Sequence, residues 1–261
     1  MLRARLLTAL VLLAGLLLVL FTFSPTQARI AFALLMALAA WEWAGLMRQD
    51  RSARVLYAAF VLFACWQLHA AGAALTGLTL TLGVFFWLLV APIWLRLGWR
   101  MRGNDMVGYG LGLVLTLACW SAMALLFARG PGVLLAAMAV VWVADSAAYF
   151  VGRAFGRRKL APAISPGKTW EGVWGALAGV LFYALLLVPF APLPPIALIV
   201  LALLLAVLSI VGDLFESLLK RQAEIKDSGS LLPGHGGVLD RIDGQLAALP
   251  VAAWVLGRWA A

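Results

Sequence analysis

The sequence predicts an all-α protein of about nine transmembrane helices, and three observations carry that prediction. Of 261 residues, 65% are hydrophobic and only 12% charged, with a mean hydropathy of +1.02. A soluble domain holds roughly 25% charged and about 45–50% apolar residues, so the solvent of this chain must be lipid. The apolar residues also run in unbroken stretches of about 20, the length of one spanning helix. Those stretches show no alternation, which argues against a β-barrel, and backbone in lipid must satisfy its own hydrogen bonds, which helices do.

Taken in order, the first run, 5–24, follows Arg3 and Arg5 in the manner of a signal peptide. It exceeds the roughly 7–15 residues of such a core and is expected to stay as an uncleaved helix. Runs 30–47 and 55–72 follow, the second carrying Cys65 and His69, read as a buried thiol and a structural histidine. Next come 78–97 and 107–128; Cys119 lies in the latter, and the two cysteines have no metal-ligand spacing. The sixth run, 132–151, carries Asp145 near its cytoplasmic end, with Tyr149 one helical turn further. An ionisable group inside a span marks a function or a buried pair. Runs 171–190, 194–212 and 245–260 complete the set, and the connections near 73–77, 129–131 and 190–194 are short and nearly uncharged.

The net charge of +9 sets orientation and does not imply nucleic acid. With the N-terminus cytoplasmic, only Arg29, Arg129 and Arg258 of the 20 basic residues fall outside, as the positive-inside rule predicts. The chain reads as a single integral membrane domain, 1–261, without repeats. Residues 1–130 supply N-terminal transmembrane helices, and 131–261 form a catalytic half with cytoplasmic polar loops at 152–170 and 213–244.

Eight of the 11 acidic residues lie between Asp145 and Asp243, leaving only Glu42, Asp50 and Asp105 elsewhere. All four lysines, Lys159, Lys168, Lys220 and Lys226, fall in the same two polar regions of an otherwise arginine-using chain. A compact ammonium there suits a phosphate group. Asp213, Glu216 or Ser217, and Lys220 share one helical face, as do Asp240 and Asp243. Between them Pro233-Gly234-His235-Gly236-Gly237 is too glycine-rich for a helix and should form a tight loop whose N–H groups approach an anion. Carboxylates facing lysines can hold a divalent cation against phosphates. By composition alone the same cluster fits a cation-transport site or a structural ion-pair network.

Ser217-Leu-Leu-Lys220-Arg221, four intervening residues, Lys226-Asp227-Ser-Gly229, then Pro233-Gly-His235-Gly-Gly237-Val-Leu-Asp240-Arg241-Ile-Asp243 resembles the signature of the phosphatidate cytidylyltransferases, or CDP-diacylglycerol synthases. Asp145-Ser-Ala-Ala-Tyr149-Phe-Val-Gly152-Arg153, Gly156-Arg-Arg-Lys159-Leu160 and Ile164-Ser165-Pro166-Gly-Lys168-Thr169-Trp170-Glu171-Gly172 look like that family's upstream region. The first five spans resemble it only in hydropathy. Two positions depart: Ser146-Ala147 stands where the family usually has Thr-Gly, and Gly244 where it usually has Ser.

The resemblance implies an enzyme that converts phosphatidic acid and CTP to CDP-diacylglycerol and pyrophosphate, at the cytoplasmic side of a bacterial inner membrane. It implies Asp213, Asp240 and Asp243 as ligands of Mg²⁺, with room for a second cation. Lys220, Lys226, Arg221 and Arg241 would contact phosphates. Ser165, Lys168 and Thr169 carry over as nucleotide-loop residues, and Asp145, Asp227 and His235 as site-shaping ones. Expected partners are CTP, phosphatidic acid and the bilayer; homodimerisation stays open. A dianionic phosphate nucleophile needs no strong base, which weakens that role for His235. The rival readings are a CTP-dependent lipid kinase, which would need a base such as Asp227 or His235, and a cation-coupled transporter, whose site would sit near the midplane of a repeat.

Overall fold

Each long apolar run becomes a helix. The computed structural model describes residues 2–101, 106–232, 234 and 236–259, with 2–7 described by backbone only. Its helices are α1 (Leu2–Thr22), α2 (Pro25–Leu46), α3 (Arg51–Ala71), α4 (Ala73–Phe85), α5 (Ala91–Leu97), α6 (Met106–Ala128), α7 (Pro131–Phe155), α8 (Trp170–Leu187), α9 (Pro195–Ala223) and α10 (Leu239–Trp259). A π-helical turn, Phe86–Val90, joins α4 and α5 into one rod, so the described residues form nine rods. Seven of them, α2 to α9 with α4–α5 counted once, are long and apolar enough to cross a membrane, and α1 is apolar over Thr8–Thr22.

Local chemistry sets the boundaries. Before α2, Ser24 and Gln27 form a reciprocal capping box and Pro25 occupies the first helical turn, an arrangement that satisfies two orphan donors. Asp50 caps α3 by accepting from the Ala53 N–H at 2.8 Å. Large apolar side chains such as Trp66, Phe150 and Phe182 face outward, while the interior holds alanines such as Ala39, Ala40 and Ala206. That distribution is the one a lipid solvent selects, where small residues let helices approach closely.

Three elements differ from the sequence expectation. The expected loop 152–170 is largely structured: α7 runs on to Phe155, and β1 (Lys159–Ala161) pairs antiparallel with β2 (Ser165–Thr169) in a short hairpin before α8. Helix α9 continues to Ala223, well past residue 212, and ends on Glu224 in the left-handed conformation. Helix α10 begins at Leu239 rather than 245 and is buried along most of its length against α9, α6, α4 and α7. It is the central rod of the bundle, which explains how it carries Asp240, Arg241, Asp243 and Gln245 yet belongs to the fold.

Close helix contacts position the polar end. On α8, Gly175 sits against the Val151 side chain and Gly179 against Ala147, so α7 and α8 meet almost backbone to backbone. The methyl of Ala147, where the family usually has glycine, is therefore accommodated by the glycine opposite. A side chain at Gly244 would meet Val141 Cγ1 at 2.8 Å and Ser209 Cβ at 3.1 Å. Glycine at this departure from the family pattern lets α10 press against α7 and α9.

Candidate active site

One cavity of about 610 Å³ opens where α7, α8, α9 and α10 meet the hairpin. Asp145 and Tyr149 reach it from α7, Ser165, Lys168 and Thr169 from β2, Asp213 and Lys220 from α9, Asp227 from the following loop, and Asp240, Arg241 and Asp243 from α10. Residues that the sequence places almost 100 positions apart thus share one chamber. Apolar Ala148, Leu160, Val173 and Ile210 complete the lining. The volume falls within the roughly 300–1,000 Å³ of ordinary ligand sites.

The hairpin is tied down by the residues it faces. Lys168 Nζ lies 2.6 Å from Asp213 Oδ2, and Arg221 Nε donates to the Ile164 carbonyl at 3.2 Å. Glu171 accepts from the Arg157 and Arg158 N–H groups, closing the chain before β1. Thr169 caps α8, its hydroxyl accepting from the Gly172 N–H at 3.1 Å, and is buried. So Ser165 and Lys168 present groups to the cavity, whereas Thr169 holds the hairpin–helix junction and Arg221 holds the turn from outside the lining.

Lys220 has a different setting from the phosphate contact the resemblance implies. Its Nζ sits 2.6 Å from Glu216 Oε2 and 2.6 Å from Asp240 Oδ1, with only 13% of the side chain exposed. Asp240 Oδ2 accepts two more hydrogen bonds, from Ser228 N–H at 3.0 Å and Gly237 N–H at 2.8 Å. Asp240 is thus engaged on both oxygens. Asp213 accepts from Ser217 Oγ at 3.2 Å besides its ion pair, and Asp243 Oδ1 accepts from the adjacent Gly244 N–H.

Asp145, Asp213 and Asp243 are close enough to act on one another electrostatically, and Lys168 offsets Asp145 and Asp243. These carboxylates are hard oxygen donors on a cavity that water reaches, the donor type Mg²⁺ selects. Among the described residues no three acidic, histidine or cysteine side chains are spaced to enclose one metal ion. That arrangement fits Mg²⁺ all the same, because this ion keeps several waters and takes one or two carboxylates plus substrate phosphates. Asp213, held by Ser217 and Lys168, and Asp240, held by Lys220, Ser228 and Gly237, each have both oxygens engaged by protein donors.

Lys226 and Asp227 are exposed on the loop after α9, and Asp227 alone of the two lines the cavity. Pro233 and His235 lie outside the described residues. Of their described neighbours, Gly234 and Gly236 take positive φ values of 76° and 81°, and Leu232 pairs with Gly236. Positive φ is a conformation glycine adopts without cost.

The sequence reading passed over Glu42 and gave Glu216 no role. Glu42, on α2, is buried and accepts from Leu239 N–H at 2.7 Å and Ser228 Oγ at 3.1 Å. An acidic residue within an apolar run was the available signal.

A family model described as the cytidylyltransferase family matches residues 3–258. The chain is 42% identical to a phosphatidate cytidylyltransferase of Pseudomonas aeruginosa, covering 100% of this chain and 98% of that protein. It is 35% identical to the phosphatidate cytidylyltransferase of Haemophilus influenzae, over 96% of each chain. With the Bacillus subtilis protein of the same name it shares 48% identity over 46% of this chain and 45% of that one.

Proposed function

The chain belongs to the cytidylyltransferase family, and from that premise we propose how its cavity converts phosphatidic acid and CTP to CDP-diacylglycerol and pyrophosphate. It is an integral membrane nucleotidyltransferase of phospholipid synthesis. The observation that carries the reading of the site is the mixed lining of one cavity, where acidic and basic side chains of α7, α9, α10 and the hairpin stand beside apolar Ala148, Val173 and Ile210.

A phosphatidate oxygen attacks the α-phosphorus of CTP, the bond to the bridging oxygen of the β-phosphate breaks, and pyrophosphate leaves. The phosphate monoester is largely dianionic at neutral pH, so no residue has to remove a proton. The chain must instead bring two anions together and neutralise them, which is positioning and electrostatic work. Lys168 and Arg241 supply positive charge at the chamber wall, and Ser165 a hydroxyl. Apolar Ala148, Val173 and Ile210 receive the glycerol and upper acyl portion, entering from the inner leaflet. Asp213 and Asp243, with Asp145 beside them, would hold Mg²⁺, which when bound neutralises phosphate oxygens. Asp240 orders the loop that carries Asp227. The basic residues around the cavity support a cytoplasmic site, in a bacterial inner membrane.

The test is the fate of α-labelled CTP offered with phosphatidic acid and Mg²⁺ to the purified protein. Label is expected in the lipid product, and chelation of Mg²⁺ is expected to abolish its appearance. Label found only in CDP would overturn the reaction, and label transfer indifferent to chelator would overturn the metal.

A further inference from the structure

Glu42, on α2, stands far from the signature in sequence. Its carboxylate nevertheless touches the signature at both ends of one loop. Oε2 accepts from Ser228 Oγ at 3.1 Å and from the Leu239 N–H at 2.7 Å, and the side chain is 2% exposed. A Cβ at Gly229 or Gly237 would collide with the same carboxylate, so two of the signature's glycines serve to let the loop close on it. From the other side Asp240 holds the same two ends, through Ser228 N–H and Gly237 N–H. The loop that presents Asp227 to the cavity is thereby gripped between two carboxylates, one from α2 and one from α10.

We infer that Glu42 is a positioning residue for cytidylyl transfer, fixing the 228–239 loop through its acceptor oxygen while touching neither substrate. A buried ionisable group in a span is costly, and here Oε2 is engaged by two donors of one loop while Oε1 is buried with no hydrogen-bond partner among the described residues. The inference rests on the proposed reading that this loop belongs to the active site. Misplacement of a positioning element costs up to about 10²-fold in rate.

The experiment compares Glu42→Ala, Glu42→Gln, Ser228→Ala and the double variant Glu42→Ala/Ser228→Ala in bilayer nanodiscs. Label transfer from CTP and hydrogen exchange of residues 226–239 are measured for each. Glu42→Ala is expected to lower kcat about 10²-fold with little change in the KM for CTP, and to speed exchange in the loop but not in α6 or α8. Glu42→Gln keeps a carbonyl acceptor and should restore kcat to within about fivefold of wild type. Ser228→Ala should cost about fivefold, and the double variant should be no slower than Glu42→Ala, because the two residues share one interaction. Unchanged kcat and loop exchange in Glu42→Ala overturn the inference, as do additive losses in the double variant. If Glu42→Ala fails to insert, wild-type kcat and exchange in Ser228→Ala overturn it. A wild-type protein that transfers no label overturns the proposed reaction instead, while loop exchange still decides the clamp.

Discussion

Lys220 illustrates how a residue's type and its work can diverge. Its type and region suggested a phosphate ligand, yet its ammonium lies between Glu216 and Asp240, whose side chains are 4% and 6% exposed. Removing a buried charge between two partners leaves both uncompensated, and breaking such a pair costs about 3–5 kcal/mol. Lys220→Ala is therefore expected to lower the thermal stability of the detergent-solubilised protein as well as its turnover. A pure phosphate ligand would raise the KM for CTP and leave the unfolding temperature unchanged, so that pair of results would refute the structural role. Glu42 gave little warning of its role for a related reason. Its partners Ser228 and Leu239 lie 186 and 197 residues away, a distance that periodicity and local spacing do not register.

At the level of elements, the helices were legible because lipid imposes a long apolar run on each, and the runs at 30–47 and 107–128 match α2 and α6 closely. The hairpin was not legible. Lys159–Ala161 and Ser165–Thr169 are short, lack alternation and contain proline and glycine, signals that ordinarily demote a strand. Its order comes from tertiary contacts, Lys168 to Asp213 and Arg221 to Ile164. The start of α10 was legible only in part: Asp240 and Asp243 have helical spacing, but the apolar run begins at 245, and it is burial against α9 that carries the helix back to Leu239. Since α7 and α8 carry Asp145 and the hairpin, their separation should govern the site. Gly175 lies where a Cβ would come 2.5 Å from that of Val151. Overpacking of this kind costs about 1–3 kcal/mol, so Gly175→Leu is expected to lower both thermal stability and label transfer. Wild-type values for both would show that the helix contact does not set the cavity.

At the scale of the whole molecule, the bundle has two unlike ends, and its internal contacts say which loops share each. Arg48, just after α2, pairs with Glu224 after α9 at 2.8 Å, and Gln222 of α9 bonds Trp99 and Met101 beyond α5. The hairpin and the start of α10 lie at that same end with Asp213 and Lys220, through the ion pairs of Lys168 and Asp240. At the far end Trp120 of α6 donates to the Arg29 carbonyl near the start of α2. The basic residues Arg48, Arg51, Arg54, Arg153, Arg157, Arg158 and Lys159 crowd the first end, so the asymmetry of charge read along the sequence coincides with the active-site end. On the positive-inside rule that end is expected to face the cytoplasm, which vesicle labelling can test. Cys65 and Cys119 are both buried, which leaves the protein silent toward a membrane-impermeant maleimide and allows single reporters. Ser230→Cys, on the exposed loop after α9, should label in inverted vesicles and resist labelling in right-side-out ones. Arg129→Cys, exposed between α6 and α7, should do the reverse. Labelling of Ser230→Cys in right-side-out vesicles would turn the enzyme over in the membrane and remove its access to cytoplasmic CTP.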